Sequence, residues 1–105
     1  VAYVEQQHAF PPSMGGSQAN FARGRSFGMI EGVLGALGIR METVPAAKWK
    51  AAMALRGKDK EASRELAQRL FPALAGQLQR KKDEGRAEAL LIALYGQRKE
   101  ERRDA

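Results

Sequence analysis

The 105-residue chain has the length of one domain, and its 18 Lys and Arg against 12 Asp and Glu give a formal net charge of +6. That balance favours a polyanionic partner such as nucleic acid, with plain solubility as the alternative. With no cysteine the chain has neither a disulfide framework nor a thiolate metal site, and it contains no long apolar span or signal peptide.

Val1 to Glu5 is short, apolar and β-prone, and reads as a buried strand with Glu5 at its carboxyl end. Ligands of open α/β sheets gather at such ends. A strand-end Glu facing water is the plain alternative. Gln6 to Gln18 holds Pro11-Pro12 and Gly15-Gly16 and reads as a loop. His8 is the one histidine. Phe10 either stacks on an unpaired base or tucks under the loop.

Asn20 to Leu37 reads as a helix with Phe27, Ile30, Val33, Leu34 and Leu37 on one face. Gly24, Gly28 and Gly32 form a ridge on another face, which a closely approaching backbone would explain. Arg23 and Arg25 sit near its start as phosphate clamps or as a solvated face. Gly38 supplies the stop. Ile39 to Val44 reads as a second strand, with Ile39, Met41 and Thr43 alternating against Arg40 and Glu42. Strand, helix, strand makes a parallel βαβ unit.

Pro45 opens a helix with Ala46, Trp49 and Met53 on its core face and Lys48 and Lys50 outside it. Asp59 to Phe71 reads as a helix with Ala62, Leu66 and Leu70 inward. Lys60, Arg64 and Gln68 line an adjacent stripe. Like charges at that spacing repel slightly, and a polyanion would relieve them. Pro72 opens another short helix carrying Leu74 and Leu78. The last helix buries Ala87, Leu90, Leu91, Leu94 and Tyr95 at helical spacing, with Asp83 as its N-cap. Glu88 then lies one turn in, where a carboxylate is costly to desolvate unless paired or bound to a cation. Residues 97–105 read as a charged tail that frays.

Acids that hold a metal beside cations that hold phosphate suggest phosphodiester chemistry. Hydrolysis of that kind draws several carboxylates around two Mg²⁺ ions. Glu5, Asp83 and Glu88 are the candidates for catalysis and for metal, with Glu84 in reserve. Phe10, Arg23, Arg25, Lys50, Lys60, Arg64, Lys81 and Arg86 are the candidate DNA contacts, most of them to phosphate.

Four segments carry a family resemblance in matching order. Lys81-Lys82-Asp83-x-Gly85-Arg86-Ala87-Glu88-Ala89-Leu90-Leu91-Ile92 resembles the last acidic motif of the RuvC-like Holliday junction resolvases, closest to their plastid and phage branch. Tyr3-Val4-Glu5-Gln6 resembles the strand ending in the second catalytic Glu. Pro45-Ala46-Ala47-Lys48-Trp49-Lys50 resembles the Pro-x-x-x-Trp-Lys segment, and Gly57-Lys58-Asp59-Lys60-Glu61-Ala62-Ser63-Arg64 the Gly-x-x-Lys-x-x-x-Arg helix start.

The resemblance implies an α/β fold: a partial RNase H-like, RuvC-type domain with short parallel strands and several helices. Residues 1–105 would form one nuclease domain lacking its N-terminal strands, because nothing matches the strand with the first catalytic Asp. The chain alone is therefore expected not to cleave DNA. The implied function is structure-selective cleavage of Holliday junctions and branched DNA by Mg²⁺-dependent, or Mn²⁺-dependent, hydrolysis. Implied too are a homodimer, no membrane association, and an intracellular site: bacterial or phage cytoplasm or nucleoid, or an organelle. Two other readings stand beside it: a non-catalytic basic DNA-binding module, and a small helical partner-binding protein.

Overall fold

A computed structural model describes residues 1–104. They form two compact units, Val1–Pro45 and Ala46–Ala105.

The first unit is the expected βαβ. β1 (Ala2–Glu5) runs parallel to β2 (Met41–Val44), with Ala2 opposite Met41 and Glu5 opposite Val44. The ladder is closed at both ends: the Ala2 N–H donates to Arg40 O at 2.8 Å, and the Gln6 N–H to Val44 O at 2.8 Å. A parallel pair needs a crossover, and α1 (Gly16–Ala36) supplies it. The helix starts four residues before the expected Asn20, because a 3-10 turn at Pro12–Met14 feeds straight into it. Its end behaves as read. Gly38 takes φ 69, a conformation cheap for glycine, while the Ile39 N–H donates back to Leu34 O at 2.9 Å.

Two expectations in this unit need correction. In β2 the buried residue is Val44 and Thr43 is exposed, so the end of the strand turns Val44 inward rather than Thr43. Ile39 and Arg40, read as the start of this strand, lie outside it. In α1 the glycine ridge faces open space: a Cβ added at Gly24, Gly28 or Gly32 would meet nothing within 4 Å. Phe21, Met29 and Val33 are also exposed on this helix, as is Leu37 just past its end.

The second unit is helical. α2 (Ala46–Ala52) buries Trp49 completely. It closes through Ala54, which holds φ 58 while the Leu55 N–H reaches Lys50 O at 2.7 Å. α3 (Lys60–Leu70) is capped by Asp59, whose Oδ1 accepts from the Ala62 N–H at 3.0 Å. Its fully buried residues are Ser63 and Ala67, while Leu70 is exposed, so the inward line falls one residue later than Ala62, Leu66 and Leu70. Small residues let α3 approach α4 closely, and small residues carry little apolar signal in a sequence.

A 3-10 segment at Pro72–Gln77 brings Leu78 into the core. A second 3-10 turn, Lys81–Asp83, leads into α4 (Glu84–Asp104). Trp49, Leu78, Ala87 and Leu91 are all at 0 % exposure and form the core of this unit. Each large apolar side chain buried there contributes about 1.5–3 kcal/mol. Residues 97–104, read as a fraying tail, continue α4; Ala105 lies outside the described residues. No helix among the described residues is long and apolar enough to cross a membrane.

Candidate functional site

In the first unit Glu5 ends β1 and is half-buried, with its carbonyl accepting from Gln7 Nε2 at 3.2 Å. The loop beyond it is tied to α1. Asn20 clasps the Phe10 backbone: Oδ1 accepts from the Phe10 N–H and Nδ2 donates to the Phe10 carbonyl, each at 3.0 Å. Arg23 Nη1 donates to the same Oδ1 at 3.0 Å, and the guanidinium lies 4.3 Å from the Phe10 ring centroid. His8 also meets this ring, tilted against it with ring centroids 5.0 Å apart. Phe10 is thus tucked against the helix and held by a cation–π contact. Arg25 is exposed on α1.

In the second unit the cations divide into exposed and engaged ones. Lys60 is 72 % exposed at its side chain and its Nζ stands 3.9 Å from Glu84 Oε2. A pair at that distance with so exposed a lysine is worth little and leaves the ammonium accessible. Lys81 is exposed as well. These two line an open cavity of about 500 Å³ with Asp59, Glu61, Arg64 and Glu84. Lys50 lies over the Trp49 ring at 5.6 Å. Arg86 Nη1 donates to Gln77 O at 3.3 Å. Arg64 is nearly enclosed and donates to the carbonyls of Leu78 and Gln79.

Asp83 does not cap α4 as expected. It ends the 3-10 turn and reaches backwards: Oδ2 accepts from the Arg80 N–H at 3.0 Å and from Arg80 Nε at 3.2 Å, while Oδ1 accepts from Arg80 Nη2 at 3.1 Å. Asp83 directly precedes α4, but it is the last residue of the 3-10 turn and its oxygens are turned back onto Arg80, so they do not serve the N–H groups ahead. The carboxyl is held below the usual aspartate range, first by the Arg80 side-chain hydrogen bonds and then by the Arg80 backbone N–H. Burial opposes this, and the charges of Arg80 and Arg86 assist. A carboxylate has about four lone-pair sites, and Arg80 takes three of them here. Glu88 is half-buried, one turn into α4.

The expected acids are divided between the units: Glu5 belongs to the first, Asp83 and Glu88 to the second. Among the described residues no three His, Asp or Glu side chains gather into a group that could hold a metal ion. Arg80 and Asn20 were missed as partners. Arg80 was legible as an Arg three residues before an acid, the spacing of a turn closed by an ion pair. Nothing local marked Asn20, whose partner lies ten residues away.

No family model matches the chain. It is 38 % identical over 94 residues to the chloroplastic Holliday junction resolvase MOC1 of Chlamydomonas reinhardtii. The similarity supports a resolvase-family relationship. It takes in 89 % of this chain and 10 % of that relative, so the chain spans about a tenth of the curated protein it matches. The mixed architecture, with two parallel strands and several helices, is compatible with part of an α/β nuclease fold.

Proposed function

We propose that this chain is part of a structure-selective endonuclease of the RuvC-like branch that binds and cleaves Holliday junctions. The observation that carries the reading is the 38 % identity to a Holliday junction resolvase across nearly the whole chain. The net charge of +6 and the exposed Lys60, Lys81 and Arg25 agree with a phosphate-rich partner. A homodimer suits two symmetric cuts, and the chloroplastic relative favours an organelle over a bacterial or phage setting.

Mg²⁺ is the proposed cofactor, with Mn²⁺ as its substitute. Hard oxygen donors suit either ion. Glu5 in the first unit and Glu88 in the second are each proposed as a carboxylate ligand, and a bound ion would neutralise charge developing on the phosphodiester oxygens. Asp83 fits the role less well, because Arg80 already holds both of its oxygens. Its proposed task is to order the start of α4, which carries Glu88. Lys60 and Lys81 would position the phosphate backbone.

The test is binding of the chain to a four-way junction and to linear duplex of the same composition, over a salt series. The expected result is a junction preference of about tenfold or more, equivalent to about 1.4 kcal/mol, and a steep loss with salt. Equal affinity for linear duplex rejects junction selectivity. The grip of Arg80 on Asp83 also favours a second reading, a DNA-binding module without catalysis. Mg²⁺ titration followed by nuclear magnetic resonance separates the two: shifts centred on Glu5 and Glu88 support the nuclease, and their absence supports the module.

A further inference from the structure

An arginine on α3 faces the α3–α4 connection in surroundings that do not suit a DNA contact. The Arg64 side chain is only 12 % exposed. Its Nη1 donates to Gln79 O at 2.6 Å and leans on Leu78 O at 3.5 Å, and Nη2 faces Glu61 Oε1 at 3.4 Å. Its Nε is buried with no partner. One turn along α3, Gln68 Nε2 donates to the same Leu78 carbonyl at 2.8 Å. Two side chains of one helix therefore grip two consecutive carbonyls of the connection, and the buried Leu78 side chain anchors it from the other side. The next residue is Arg80, whose backbone and guanidinium close on Asp83, while the Asp83 N–H returns to Arg80 O at 2.9 Å.

We propose that Arg64 is a positioning residue: with Gln68 it fixes the Leu78–Gln79 carbonyls so that Arg80 closes on Asp83 and sets the first turn of α4. A guanidinium is required because its planar fork presents several N–H groups in fixed directions, which an ammonium on a flexible stem does not. Lys60 is the natural contrast. It lies one turn before Arg64 on α3 but is largely exposed and only loosely paired, which leaves it free to meet a phosphate.

The proposal rests on the junction-binding reading for one arm of its test and is independent of it in the other. Amide hydrogen exchange at Arg80 and Asp83 is compared with exchange at Leu91 in the unaltered chain, Arg64→Ala, Arg64→Lys and Gln68→Ala. The expected result is exchange at Arg80 and Asp83 accelerated about tenfold or more relative to Leu91 in all three variants, Arg64→Lys included. Uniform acceleration, or protection preserved by Lys, overturns the proposal. If Arg64→Ala does not fold, Arg64→Lys and Gln68→Ala decide the same question.

In the second arm, junction binding is measured against salt. Lys60→Ala is expected to flatten the log–log slope by about 0.9 while Arg64→Ala leaves it unchanged. A slope loss of about 0.9 in Arg64→Ala overturns the proposal by making Arg64 a phosphate contact. Failure of the unaltered chain to bind junctions rejects the junction reading, and the exchange arm still decides the role of Arg64.

Discussion

The two units place their apolar side chains in opposite ways. In Ala46–Ala105 the largest apolar residue of α2 is fully enclosed, and Leu78, Ala87 and Leu91 join it at 0 % exposure. In Val1–Pro45 the buried apolar residue is Val44, while Phe21 is 73 % exposed on α1 and Leu37 67 % just past its end. The difference extends to backbone chemistry. The first unit keeps glycines in a helix where alanine would fit, and the second places Ala54 at φ 58, where glycine would fit better. A unit with its own core tolerates a strained turn, because packing over-determines it. A helix with an exposed apolar side draws less on tertiary packing, so intrinsic propensity weighs more in it.

The largest expected effect breaks the comparison if it fails. Trp49→Ala should cost about 3–5 kcal/mol in urea unfolding followed by circular dichroism, whereas Val33→Ala should stay within about 0.5 kcal/mol. Equal costs at the two positions would mean that α1 is as well packed as α2. Next in size, Asp59→Ala removes the cap of α3 and should cost about 1 kcal/mol by the same measurement.

A smaller pair of substitutions runs in the stabilising direction. Gly28→Ala should add about 0.5–1 kcal/mol, since nothing within 4 Å opposes the new methyl group. Ala54→Gly should also gain, by relieving the left-handed conformation, though the entropy of the unfolded glycine offsets part of that. Loss of stability in Gly28→Ala would show that the ridge is in contact with something in solution.

The smallest effect is visible as a pH dependence. The Asp83 carboxyl titrates lower in the folded chain than in the unfolded one. Its contribution is therefore present above the ordinary aspartate value and is lost as pH falls through the lowered one. Arg80→Ala should be less stable than the unaltered chain near neutrality, and the gap should narrow under acid. A gap independent of pH would show that Arg80 acts through packing alone.

The parts of the fold that were legible in the sequence are those with a strong local signal. Short β-prone segments flanking a long helix marked the parallel pair, and Gly38 marked the end of α1. Trp49 was readable as core from its spacing with Ala46 and Met53. The inward face of α3 was not, because Ser63 and Ala67 are chosen for close approach rather than for hydrophobicity. The site was harder to read than the fold. Asp83 stood at a plausible capping distance, and only the intervening turn reverses its direction. Sequence spacing put Arg64 in a row of candidate phosphate contacts and is blind to the carbonyls that face it across the connection.

The parallel strand pair also bears on the order of events in folding. Its ladder joins Ala2 to Met41, and every residue of α1 lies inside the closed loop. Closing a loop costs chain entropy before any ladder bond returns it. The helix shortens that search, because once it forms it replaces a floppy tether by a rod that holds the two strands on one course. Each helix-interior glycine of α1 slows formation of that rod, so Gly28→Ala should speed refolding as well as stabilise the product.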